Sequence, residues 1–165
     1  MEWLRQGLRK MALWKLDRRA LELPGDLKNI ENTAILWPSQ PDEAAERMAI
    51  TLAKALGKRL KAIIGYPENC SIEGVEYRRI EDKAVGFFGY PKTGAVNAVA
   101  DFSSTIDLSP AFELRLSALP VMAGVPLRIG RDSAEAGSFY NIILKGNSGA
   151  EIETIIGATE SKSNG

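Results

Sequence analysis

Any chemistry in this chain must come from carboxylates, guanidinium groups and hydroxyls, because the sequence holds no histidine and a single cysteine. That removes the usual general base, the Ser-His-Asp and Cys-His arrangements, and most zinc and iron sites. Cys70 has no histidine to activate it and reads as a loop or buried thiol. No cluster of cysteines and carboxylates has metal-ligand spacing, so no metal is expected. Neither G-x-G-x-x-G after the first strand nor G-x-x-x-x-G-K-[ST] occurs. The common dinucleotide and nucleoside-triphosphate loops are thus unsupported, and no cofactor is implied.

What remains is a small set of polar residues just beyond apolar runs. Asp107 closes the stretch Ser104-Thr105-Ile106-Asp107-Leu108 and is followed by Ser109-Pro110. A carboxylate there serves as a base or substrate contact, or it accepts backbone N–H groups that cap the next helix. Arg128 and Arg131 flank Ile129-Gly130, with Asp132 next. Two guanidinium groups at a strand end bind a phosphate or carboxylate bidentately, or pair with Asp107 or Asp132. Trp37-Pro38-Ser39-Gln40-Pro41-Asp42 is a turn stiffened by two prolines, which lack N–H donors and make a poor phosphate cradle. Ligands of open α/β sheets bind beyond the carboxyl ends of the strands. The candidate ligand cleft is therefore Trp37, Ser39, Asp42, Asp107, Ser109, Arg128 and Arg131, with no residue assigned a catalytic role. The aromatic, glycine-rich residues 86–94 are either a binding loop or, with their rings inward, core filler under the sheet edge.

These residues need a scaffold, and the hydrophobic pattern predicts one. Residues 33–37, Thr-Ala-Ile-Leu-Trp, predict a first buried strand. Pro41 suits the first turn of a helix. Ala45, Met48, Ala49, Leu52, Ala53 and Leu56 then recur at helical spacing, with Asp42, Glu43 and Glu46 at the end the dipole favours. Gly57 ends that helix. Residues 60–65 predict a second strand, and one helix between two strands makes them parallel. A more polar strand over 75–80 belongs near an edge. Phe87-Phe88 is read as a short strand, and residues 93–101 as a short helix. Further strands are expected over 104–108, 126–130 and 139–144, with a helix over 110–119 broken by Pro120 and a last helix over 149–158. The fold class is α/β: an open, mostly parallel Rossmann-like sheet with helices on both faces.

Residues 1–22 predict an amphipathic helix, with Trp3, Leu4, Leu8, Met11 and Trp14 at helical spacing, stopped by Pro24-Gly25. Six basic residues stand against Glu2 and Asp17 over 1–19, a segment charge of +4. The whole chain balances 21 Lys and Arg against 21 Asp and Glu, so the remainder carries −4. Three parts follow: a basic arm over 1–24, one α/β domain over 30–158 and a tail over 159–165. Overall neutrality argues against a dedicated nucleic-acid binder. One cysteine excludes a disulfide scaffold and suits a reducing compartment. No apolar run approaches the ~18 residues of a membrane span, and the start lacks a signal-peptide core, so a cytoplasmic location is expected. The arm docks on its own domain, on a second copy as a homodimer or on a protein partner, or it lies on an anionic membrane surface.

The succession of a basic N-terminal helix, Thr33-Ala34-Ile35-Leu36-Trp37, residues 60–66, Phe102-Ser103-Ser104-Thr105-Ile106-Asp107-Leu108-Ser109, Pro126-Leu127-Arg128-Ile129-Gly130 and Phe139-Tyr140-Asn141-Ile142-Ile143-Leu144 resembles an uncharacterised family of small bacterial proteins, labelled only as a domain of unknown function. That pattern in turn is similar to the N-terminal lobe of heptosyltransferase-like glycosyltransferases of the GT-B fold, which carry a strand ending Asp-Leu and later an Arg-Ile-Gly segment. Those enzymes have a Gly-Asp pair after the first strand, the Asp acting as base; here Pro41-Asp42 stands near that place and the Gly is missing. They also need a second lobe for the nucleotide sugar, for which 165 residues leave no room. The resemblance implies a lobe without catalysis, or one acting with a partner. The leading expectation is a non-catalytic or partner-dependent protein with its arm as an interface. The alternatives are a small-ligand binder or glycosyltransferase-like lobe using the cleft, and a protein of the membrane surface.

Overall fold

The computed structural model describes residues 30–67, 70 and 72–145. The arm over 1–22, the Pro24-Gly25 stop, the helix expected over 149–158 and the tail lie outside the described residues. Strand β1 runs Thr33–Trp37 with every residue buried. Helix α1 runs Glu43–Leu56, and Asp42 caps it by accepting the Ala45 N–H at 2.8 Å. Pro41 therefore precedes the helix rather than opening its first turn, because Asp42 takes the cap position. Gly57, at φ 54°, ends α1, and one 3-10 turn over Gly57–Arg59 leads into β2, Leu60–Gly65. Next come β3 (Glu76–Arg79), the short α2 (Thr93–Val96) and β4 (Ser104–Asp107). Helix α3 (Leu114–Ala123), β5 (Leu127–Arg131), the short α4 (Ala136–Phe139) and β6 (Ile142–Leu144) complete the described fold.

All six strands are parallel, in the order β3-β2-β1-β4-β5-β6. This is the doubly wound α/β arrangement, and its strand order reverses between β1 and β4. There Thr33 pairs with Ser104 and Leu36 with Asp107. Strand alternation sorts side chains between two faces. Ile35, Ile63, Ile106 and Ile129 meet Ala45, Met48 and Leu52 of α1 on one face. Ala34, Leu36, Ala62 and Ile64 meet Ala95, Leu116 and Leu119 on the other. The polar strand β3 lies at an edge, as its sequence predicts.

Three local expectations are corrected. Pro120 sits inside α3 and does not break it: the helix is buried from Leu116 to Val121 and continues to Gly124, at φ 73°, whose N–H reaches the carbonyls of Pro120 and Val121. Tertiary packing there outweighs the one helical bond that proline removes. Phe87 and Phe88 form no strand and fill no core; they are 73% and 46% exposed. The Gly86 N–H bonds the Tyr90 carbonyl at 2.8 Å and Gly89 adopts φ 83°, closing a tight loop that turns both rings outward. Finally, Phe139 ends α4 rather than opening β6.

Candidate functional site

The βα loops after β1 and β4 face each other across the point where strand order reverses. Pro38, Ser39 and Gln40 from the first loop and Pro110, Ala111, Phe112 and Glu113 from the second line a cleft of about 260 Å³. Glu113 occupies the cap position of α3 but does not cap it. Its carboxylate instead crosses the cleft floor, accepting the Ser39 backbone N–H at 3.0 Å and the Ser39 hydroxyl. Arg115 donates to Glu113 at 2.9 Å, to Asp82 at 2.9 Å and to the Ser39 hydroxyl. Its guanidinium lies 4.1 Å from the centre of the Tyr66 ring, a cation–π contact. The Tyr66 hydroxyl donates to the Arg115 carbonyl at 2.8 Å, and burial pushes that phenol up to about 12. These contacts tie the loop after β1, the start of α3 and residues 66 and 82 into one polar cluster.

Asp42 and Arg131 form a second unit. Arg131, on β5 and 8% exposed, donates to both carboxylate oxygens of Asp42 at 2.9 and 3.0 Å, and to the Leu108 carbonyl at 3.3 Å. Those hydrogen bonds hold the Asp42 carboxyl below the usual carboxylate range. Asp42 thus caps α1 and fastens its start to the end of β5. The positive end of α1 is filled by its own chain, as a helix start with a carboxylate should be.

Asp107 is fully buried, and no cation among the described residues bonds it. It accepts the Ser109 N–H at 2.9 Å, the Ser117 hydroxyl at 2.8 Å and the Tyr140 hydroxyl at 2.7 Å. It does not cap α3, which begins at Leu114. Burial raises its carboxyl above the ordinary value, against hydrogen bonds from Ser109, Tyr140 and Ser117. Gly130 makes this contact possible. A Cβ there would stand 2.3 to 2.5 Å from three ring atoms of Tyr140.

The seven residues singled out in the sequence do not share one cavity. Ser39 lines the cleft, and Asp42 and Arg131 pair together. Trp37 is core, packed with Ile35 on the α1 face. Ser109 is buried beside Asp107. Arg128 reaches the carbonyls of Phe139 and Val125 at 3.0 and 2.6 Å, away from Asp107. Arg128 and Arg131 are three apart on one strand, so they leave it on opposite faces. Neither pairs with Asp132, which takes Lys145 at 3.0 Å. Glu113, Arg115, Asp82 and Tyr66 are the polar residues that sequence reasoning missed. A helix start placed four residues too early, at Pro110, hid Glu113 inside a helix. No local signal marks Asp82 or Tyr66.

Among the described residues, no group of three Cys, Asp or Glu is placed to hold a metal ion. No helix among them is long and apolar enough to cross a membrane. Comparison with known protein families, with curated proteins and with solved structures finds no match.

Proposed function

We propose that this chain is a non-catalytic α/β module that works with a partner. One observation carries the reading: at the carboxyl edge of the sheet, the groups able to do acid–base or anion chemistry are bonded to one another. Asp42 holds Arg131, Glu113 holds Ser39 and Arg115, and Asp107 holds Ser117 and Tyr140. A catalytic edge keeps at least one such group poised toward an open position. The partner contact is assigned to residues 1–22, which carry an apolar stripe and, over 1–19, a charge of +4 against −4 for the rest. Deletion of residues 1–22 is the test, read by light scattering and by denaturant unfolding. A changed oligomeric mass or lowered solubility supports the reading; unchanged mass and unchanged stability overturn it. An arm that instead binds anionic vesicles places the protein at a membrane surface.

The cleft supports a second reading, a small-ligand site. It lies between β1 and β4, where doubly wound sheets bind ligands. A glycosyltransferase-like lobe acting with a partner lobe would use this same place. A ligand screen by thermal shift, comparing the wild type with Ser39→Trp to fill the cleft, tests it. A shift abolished by the substitution supports the site, and a shift that survives it removes the site.

A further inference from the structure

The buried oxygens at the end of β4 permit a count of protons. Asp107 Oδ2 lies 2.7 Å from Tyr140 Oη and 2.8 Å from Ser117 Oγ, and the two hydroxyl oxygens lie 2.8 Å from each other. Three oxygens therefore form a closed triangle with three hydrogen-bonding edges. Each edge needs one proton. Serine and tyrosine bring one each, and a carboxylate brings none. With Asp107 ionised, both hydroxyls donate to it and the Ser117–Tyr140 edge brings two oxygens together with no proton between them. With Asp107 protonated, all three edges are filled in one cyclic direction.

The surroundings agree with the protonated form. Strand β1 presents Leu36 in register, β5 presents Gly130, α3 presents Ser117 and the link between α4 and β6 presents Tyr140. Arg131 on β5 is committed to Asp42 and the Leu108 carbonyl, and Arg128 to the carbonyls of Phe139 and Val125. The charged groups at the start of α3 are Glu113 and Arg115, which bond each other. No cation among the described residues bonds Asp107. An isolated buried carboxylate is costly and tends to neutralise. Burial acts on this one in that direction.

We propose that Asp107 is carried as a neutral carboxylic acid, the third donor of a buried hydroxyl ring, and that this ring is a proton-sensitive lock on the loop that lines the cleft. The ring ties β4 to α3 and to Tyr140, while Oδ1 of the same carboxyl holds the Ser109 N–H at 2.9 Å. Residues 110–113, which line the cleft, follow directly. Losing the proton leaves the Ser117–Tyr140 edge empty and loosens the loop from below.

The test needs the full chain and two readings. In the first, Asp side-chain carboxyl carbons of the wild type are followed by NMR from pH 3 to pH 8. One resonance, absent in Asp107→Asn, is expected to stay in its protonated position at pH 7. Titration of every Asp in the ordinary acid range overturns the proposal. In the second, the folding constants of the wild type and Asp107→Asn are compared across pH. The native group keeps its proton where the unfolded one has lost it. The wild-type advantage is therefore expected to fall about tenfold per pH unit above ~pH 4, until the native carboxyl titrates. A ratio that is flat or rises with pH overturns it. If Asp107→Asn does not fold, Tyr140→Phe assigns the resonance by shifting it, and the first reading decides alone.

Discussion

Gly130→Ala should act as an indirect mutation of Asp107. The backbone of Gly130 lies in strand β5 and has no positive φ, so alanine is conformationally acceptable there. On backbone entropy alone the change would stabilise by about 0.4–1 kcal/mol. Space decides otherwise. The added methyl falls 2.3, 2.4 and 2.5 Å from Tyr140 ring atoms, and the ring cannot stay in place. Overpacking of a core costs typically 1–3 kcal/mol. Moving the ring withdraws its hydroxyl from Asp107 and Ser117, a buried hydrogen-bond loss of about 1–3 kcal/mol. The expected destabilisation is about 2–5 kcal/mol, a large share of the ~5–15 kcal/mol of an ordinary domain. Urea unfolding measures it, with the slope unchanged. The cause is checked by repeating the substitution in a Tyr140→Leu background, where the clash is gone and the penalty should fall below ~1 kcal/mol. A Gly130→Ala protein within ~0.5 kcal/mol of wild type, or a penalty that persists without the ring, refutes the reasoning.

Asp42→Ala should remove the α1 cap, worth about 1 kcal/mol, and the two charge-assisted bonds from Arg131 to a partly exposed carboxylate, for a total of roughly 2 kcal/mol. Since Arg131 holds the Asp42 carboxyl below its ordinary value, that part of the stability is present above ~pH 4 and lost as pH falls through the native titration; acid unfolding of Asp42→Asn should be correspondingly less steep, and an identical acid profile contradicts the pair. The Cys70 thiol is pushed up to about 11 by burial, so its alkylation by iodoacetamide at pH 8 should run on the order of 10²-fold slower than a free thiol's. Labelling at the free-thiol rate would count against it.

Strand and helix placement was legible where the pattern is dense. Thr33–Trp37 and Leu60–Gly65 begin and end where the apolar runs do, because strands covered on both faces are mostly apolar; Lys61 is the one exposed residue of the two. Pro120 misled because a local rule was applied where Leu116, Leu119 and Val121 hold the helix from outside. The site was legible only in part. That ligand-side chemistry collects at strand ends is a topological rule, and it located Ser39, Asp42 and Arg131 at that edge. Which of those residues meet is a matter of strand parity and of pairings across long stretches of chain. Parity was readable and separates Arg128 from Arg131. The Arg131–Asp42 pair and the Arg115–Asp82 pair join residues far apart in the chain, and nothing local announces them.

The seam between β1 and β4 also governs how the chain becomes a sheet. β1 can take β2 as its neighbour early, but its other flank waits for Ser104–Asp107, with Thr33 and Ser104 71 residues apart. Hydrogen bonds close that gap, among them Thr33 with Ser104, Asn32 with the Asp101 carbonyl at 2.7 Å, and the Ser103 N–H with the Asn32 carbonyl at 3.0 Å. During synthesis, the apolar strand Thr33–Trp37 therefore stands with one open edge while some seventy further residues are translated. Pairings of this range are slow to form and expose sticky intermediates. Chains cut before residue 104 keep that edge bare, so fragments of this protein should need chaperone capture where the longer chain does not.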